Sequence, residues 1–252
     1  MTFRNEHFSV LISVLHDTSS GNGARTWRGR IPTQWCDRVF NTSENRPSGE
    51  ILKDLQLVGR SHLTRENLRE ICRDNSKHVL AAYICTMAWG AQGTFQTVAN
   101  ARDAWAHRDA IATKLLKLRS GNLSRVDAYN LFAGTNAVSG LGPAYFTKLL
   151  FFFSPSKSNY IMDQWTTKSM ILLTGDITLV QMSPGNHAGP TGSNDGETYK
   201  RFCEAIDCLA AELKLAGDKT EELIFSAGGN NRKAGRWRRH VRDHWLEFAR
   251  RG

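Results

Sequence analysis

The 252-residue sequence has no C-x-x-C pair, no long apolar run and almost no alternation of apolar with polar residues. The first absence argues against a zinc ribbon or a four-cysteine iron–sulfur cluster. The five cysteines, Cys36, Cys72, Cys85, Cys203 and Cys208, are odd in number and read as reduced thiols in a cytoplasmic protein. The longest apolar stretches are Leu149–Phe153 and the mixed run Ala81–Ala91. Both fall short of the roughly 18–20 residues that a membrane-spanning helix needs, so no membrane association is expected. The start, Met1-Thr2-Phe3-Arg4-Asn5-Glu6, carries charge and no apolar core, so no secretory leader is expected. There is no internal repeat. The lack of period-two patterning leaves little room for β-strands.

What is present is a basic, helix-patterned chain. Lys and Arg number 33 against 24 Asp and Glu, a net charge of +9. Such an excess bears on partners rather than fold and favours a polyanion. Residues 17–30, 41–50 and 183–196 are rich in Gly, Ser, Asn and Pro and read as loops, the last as mobile. Pro32 can open a short helix within 31–40. Thr64 can cap a helix over 65–74, and Ser76 precedes an apolar helix to Trp89 that Gly90 can end. Further helices are expected at 103–118, 125–132 (capped by Ser124), 143–153, 164–173, 198–216, 219–226 and 233–250. The fold class is mostly α. A loop-rich region over 1–60 is expected to pack on a helical body over 61–252.

The most informative segment is Ser139-Gly140-Leu141-Gly142-Pro143-Ala144-Tyr145-Phe146-Thr147-Lys148. The glycines allow a tight turn, and Pro143 suits the first position of a helix. The helix end then offers free N–H groups and positive potential to a phosphate. Asp163 follows 21 residues after Gly142, behind the apolar run Tyr160-Ile161-Met162 and before another helix.

These features resemble the helix-hairpin-helix superfamily of DNA glycosylases, whose hairpin reads Gly-hydrophobic-Gly and whose aspartate stands at about this spacing. Gly-Leu-Gly-Pro-Ala-Tyr-Phe-Thr-Lys-Leu-Leu-Phe-Phe-Phe with Asp-Gln-Trp after it looks most like a prokaryotic 8-oxoguanine-glycosylase-like (OGG-fold) group. Some members of that group are associated with phage defence. The resemblance covers about residues 124–175, with Met87-Ala88-Trp89-Gly90 as a further echo. It implies two helical lobes with the active site between them, a hairpin within 124–153, and base excision from double-stranded DNA by a monomer. It also implies no cofactor, apart from a monovalent cation that the hairpin carbonyls could hold.

On that resemblance Asp163 is the catalytic carboxylate. Cleaving an N-glycosidic bond builds positive charge on the deoxyribose, which a fixed carboxylate stabilises while it orients or deprotonates a water. Asp163 would otherwise be a plain helix cap. The family's Schiff-base lysine falls on Ala144, which puts strand cutting in doubt. Lys148 is one turn deeper on the same helix face. Among apolar neighbours its amine could serve as a nucleophile, or it could snorkel to a phosphate.

Gly140, Leu141 and Gly142 of the hairpin are candidate DNA contacts, with Arg236 and Arg239 of a strongly basic terminal helix. Arg232–Arg251 holds eight Lys or Arg against Asp243 and Glu247. Trp237, Val241, Trp245 and Phe248 form its apolar stripe. His240 and His244 lack the acidic partner of a metal motif, and no metal site is expected. A flipped base is usually held between aromatic rings, for which Trp89, Tyr145, Phe152 and Trp165 are the candidates. The expected substrate is a hypermodified cytosine in phage DNA, with an oxidised purine as the alternative. A non-catalytic DNA-binding module, or a helical protein whose hairpin is incidental, would explain the same features without turnover.

Overall fold

In a computed structural model, residues 1–19, 27–41, 46–90, 95–185, 187–226 and 235–251 are described. Residues 20–26, 42–45 and 186 of the expected loops lie outside them, as do Arg232 and Lys233 of the basic segment. The described residues form thirteen α-helices and no β-strand. They are α1 (Asn5–Ser19), α2 (Pro32–Val39), α3 (Gly49–Val58), α4 (Arg65–Arg73), α5 (Val79–Gly90), α6 (Phe95–Ala106), α7 (Arg108–Arg119), α8 (Arg125–Asn130), α9 (Pro143–Phe153), α10 (Gln164–Thr174), α11 (Gly196–Leu213), α12 (Gly217–Ser226) and α13 (Arg236–Arg251). No helix among the described residues is long and apolar enough to cross a membrane.

Packing divides the chain into two units: Arg28–Ser156, and Met1–Trp27 together with Lys157–Gly252. The expected division at residue 60 is thus replaced by crossings after Trp27 and after Ser156. The first sixty residues are also more helical than their composition suggests. In α1, Leu11 and Val14 are buried on one face and supply the stripe that holds it. In α3 only Leu55 is fully buried, too sparse a pattern to show periodicity.

In the 28–156 unit the centre is α5, whose residues Val79 to Trp89 are all buried. Around it pack α2, α3, α4, α7 and α9. The helix expected over 103–118 is two helices broken at His107, whose φ of −102° and ψ of 23° leave the α region. The break lets Trp105 pack on Phe40 and Tyr83 while Ile111, Leu115 and Leu118 bury on a separate face.

In the other unit α10 is central, with α1, α11, α12 and α13 against it. Trp237 of α13 is fully buried, and its indole N–H donates to Ser169 Oγ at 3.0 Å. Ser169 Oγ–H in turn donates to the Ile224 carbonyl at 3.0 Å, tying three helices through one hydroxyl. The N-terminal helix reaches α13 through His7, whose Nδ1 lies 3.0 Å from His240 Nε2.

Candidate active site

The carboxylate of Asp163 is held from both sides along the chain. Before it, Tyr160, Ile161 and Met162 are buried. Tyr160 is pinned to α11: its N–H donates to Tyr199 Oη at 3.0 Å, Tyr199 O–H donates to the Tyr160 carbonyl at 2.9 Å, and Tyr160 O–H donates to Asp207 at 2.6 Å. Behind Asp163, α10 begins with a capping box. Asp163 Oδ1 accepts the N–H of Trp165 at 2.8 Å and of Thr166 at 3.1 Å. Thr166 Oγ1 accepts the Asp163 N–H at 3.0 Å and donates to the Ile161 carbonyl at 2.7 Å.

The backbone therefore uses one oxygen only. Oδ2 makes no hydrogen bond among the described residues, and the residue is 8% exposed. A carboxylate locked by one oxygen with the other outward can orient a water or face a cation without first reorganising.

Two cations lie within electrostatic reach of this carboxylate. Burial pushes the Lys168 amine below the ordinary lysine value, and the Asp163 charge pulls it back up. The Arg238 guanidinium is shifted in the same direction for the same two reasons. Lys168 is buried with its Nζ 5.6 Å from the Trp165 ring centroid and 5.3 Å from that of Trp245. Arg238 lies 4.7 Å over Trp165 and 4.9 Å over Phe225. Trp165 itself is half-buried. Neither cation was a sequence-level candidate. For Arg238 the signal was its place seven residues before Trp245, hence on the same side of α13.

The loop expected to be mobile over 183–196 is tied down beside α10. Asn194, 4% exposed, holds Gln181 through its N–H and carbonyl, both at 2.8 Å. Met182 and Pro190 form a bridge, and Ser183 and Gly189 exchange hydrogen bonds of 2.9 and 3.0 Å. A Cβ placed on Gly189 would come within 3.9 Å of Gln164, the first residue of α10.

The hairpin belongs to the 28–156 unit. Gly140 has φ +73°, and a Cβ there would sit 2.1 Å from the Asn100 carbonyl oxygen, so this position is glycine for two separate reasons. Ser139 Oγ–H donates to Asp103 at 2.6 Å and fixes the turn to α6. Leu141 is buried, so its side chain anchors the turn rather than meeting a ligand. Gly142 is exposed, with nothing within 4 Å of where its Cβ would stand, and it caps α9 with Pro143 as the first helical residue.

Lys148 is buried, and its amine donates to the carbonyl of Ala144, one turn back. Nζ lies 5.3 Å from the Tyr145 ring centroid. Its stem crosses Gly90, where a Cβ would be 2.8 Å from Lys148 Cδ. The amine is thereby delivered to the first turn of α9, beside the position where the resemblance places a lysine.

Two base-pocket expectations need correction. Trp89 and Phe152 are 1% and 0% exposed and pack edge to face with centroids 5.1 Å apart. They are core, and have no open ring face for a base. Tyr145 and Trp165 are half-buried and keep surface to offer. Of the two arginines proposed for DNA, Arg236 is held by Asp17 at 2.9 Å and Ser13 at 3.0 Å on α1. Arg239 is exposed and has no partner among the described residues. Asp163, Trp165, Arg236 and Arg239 fall in one unit, and the hairpin, Tyr145 and Lys148 in the other. No group of three His, Cys, Asp or Glu among the described residues could hold a metal ion.

A family model described as "Putative 8-oxoguanine DNA glycosylase OGG-like protein" matches residues 22–225, most of the chain and both the hairpin and Asp163. The chain belongs to that family. No curated protein and no solved structure matches it. The mostly helical architecture is that expected of an OGG-like glycosylase. The position where the resemblance places a lysine is Ala144, whose carbonyl accepts the Lys148 amine.

Proposed function

We propose that this OGG-like protein is a DNA glycosylase that extrudes a modified base from double-stranded DNA and cleaves its N-glycosidic bond, leaving an abasic site. The observation that carries the reading is Asp163, whose Oδ1 is committed to two backbone amides while Oδ2 makes no bond among the described residues. As the C1′–N bond breaks, its electron pair leaves with the base. Oδ2 faces the cationic sugar and takes a proton from the water whose oxygen bonds to C1′. Trp165, half-buried beside Asp163 along the chain, is the ring proposed to border the base. Gly142 and Arg239 are the groups placed for phosphate contacts.

The substrate we propose is a hypermodified cytosine in phage DNA, which makes the protein a cytoplasmic, monomeric antiviral enzyme. What supports it over a repair role is the resemblance to a group with phage-defence members, together with the departure at Ala144. Ala144 stands where the family's lysine would, and the Lys148 amine donates to its carbonyl. Lys148 acts on the sugar or on its flanking phosphate.

The test offers purified protein two DNA pools: phage DNA with modified cytosines, and host DNA carrying oxidised bases. Released base is identified by mass spectrometry and abasic sites by alkali. Release from phage DNA that is lost in Asp163→Asn is the expected result. Release from the oxidised pool alone overturns the substrate. Release from neither, with salt-sensitive DNA binding retained, overturns the enzyme.

A further inference from the structure

Departure of a pyrimidine leaves an electron pair on N1 that spreads to the O2 carbonyl. A hydrogen-bond donor already fixed at that oxygen strengthens its bond as the charge grows, which is what lowers a barrier. Asp163 cannot serve there, because a carboxylate repels the charge that forms on the base. The donor must be cationic or neutral, rigid and near the carboxylate.

Arg238 has those properties. Its Nε and Nη2 donate to a single acceptor, the Phe225 carbonyl, at 3.2 and 2.7 Å. Its flat guanidinium lies over the rings of Trp165 and Phe225, so its orientation is fixed by aromatic faces as well as by hydrogen bonds. Nη1 makes no hydrogen bond among the described residues, and the residue is half-buried rather than sealed in the core. The residue is within electrostatic reach of Asp163, and the ring it covers is two residues from that carboxylate. Arg236 and Arg239, its basic neighbours on α13, do not share this setting: one is tied to α1 and the other is exposed.

We propose that Arg238 is a further catalytic residue, donating from Nη1 to the carbonyl oxygen of the departing base. The proposal rests on the glycosylase reading above and adds the group that acts on the base while Asp163 acts on the sugar. Bond making and breaking balance. Water oxygen bonds to C1′, its proton goes to Asp163, the N-glycosidic pair goes to the base, and the base takes a proton from solvent after release. Arg238 stays protonated throughout.

The experiment compares single-turnover base release from two duplexes, one carrying 5-hydroxymethylcytosine and one carrying 5-formylcytosine. The formyl group withdraws electrons, so its base leaves more readily and needs the donor less. Unaltered protein, Arg238→Gln, Arg238→Lys and Asp163→Asn are run side by side, each checked for a cooperative thermal melt well above the assay temperature. For Arg238→Gln the expected loss is on the order of 10²-fold on hydroxymethylcytosine and clearly smaller on formylcytosine, while Asp163→Asn loses both alike. Arg238→Lys, which keeps a cation on the same helix, recovers part of the hydroxymethylcytosine loss and settles the matter if the Gln variant melts early. Equal losses on both duplexes overturn the proposal and leave Arg238 a packing residue. If the unaltered protein releases neither base, the cytosine reading falls and the proposal falls with it.

Discussion

Asp163 does two jobs that substitution can separate. Asn keeps an oxygen for the Trp165 and Thr166 amides, so the cap survives to within a few tenths of a kcal/mol. It removes the charge that Lys168 and Arg238 feel. Ala removes the charge and both amide acceptors, which costs about 1–2 kcal/mol more. At about 2–4 °C per kcal/mol for a chain of this size, Ala should melt about 2–8 °C below Asn. Calorimetry gives the melts, and base-release assays on the same preparations give the activity, which both variants should lose. Equal melts for Asn and Ala would refute the cap as described. Retained release in Asn would refute the carboxylate's role.

The hairpin glycines should behave oppositely. Gly140→Ala strains a φ of +73° and meets the Asn100 backbone, so it should cost 2 kcal/mol or more in a urea melt, roughly the sum of a left-handed penalty and a backbone shift. Gly142→Ala has open space and a φ of −75°, so it should lose only the cap difference, about 0.5–1 kcal/mol, and its main effect should fall on DNA affinity. Arg239→Ala should reduce the slope of log affinity against log salt by about one, while Arg236→Ala, already paired with Asp17, should change it little. Burial lowers His7 below the ordinary histidine value and His240 to about 4. The unfolded chain therefore binds those protons first, and stability should fall as pH drops from about 6.5 towards 4. His240→Gln should flatten that fall, read as melting temperature against pH.

The helices with caps were legible. Thr64, Ser124 and Asp163 each stand where a cap was expected, and α9 runs over the residues its pattern indicated, Pro143–Phe153. These signals are local, because a cap and its amides lie within three residues. The division into units was not legible, since it depends on α1 meeting α13 more than two hundred residues away and periodicity carries no pairing information. Trp89 and Phe152 look like clamps by residue type, yet Arg65 and the rest of the core close over them. Arg238 reads as one more surface charge in a basic helix. Only the rings of Trp165 and Phe225 turn it inward.

The unit that holds Asp163 is built from both sides of the other, and this orders events during synthesis. Residues 28–156 form an uninterrupted segment whose core is complete once it has left the ribosome. The helix led by Asp163 must wait. Ser169 lacks its Trp237 donor, and Trp165 lacks its guanidinium cover, until residue 238 has been made. A chain stopped by nuclease damage to its message, or by a premature stop codon before that point, would carry the hairpin and the carboxylate but not the assembled site. Such a chain would lack the indole and the guanidinium that pack on the first turns of α10.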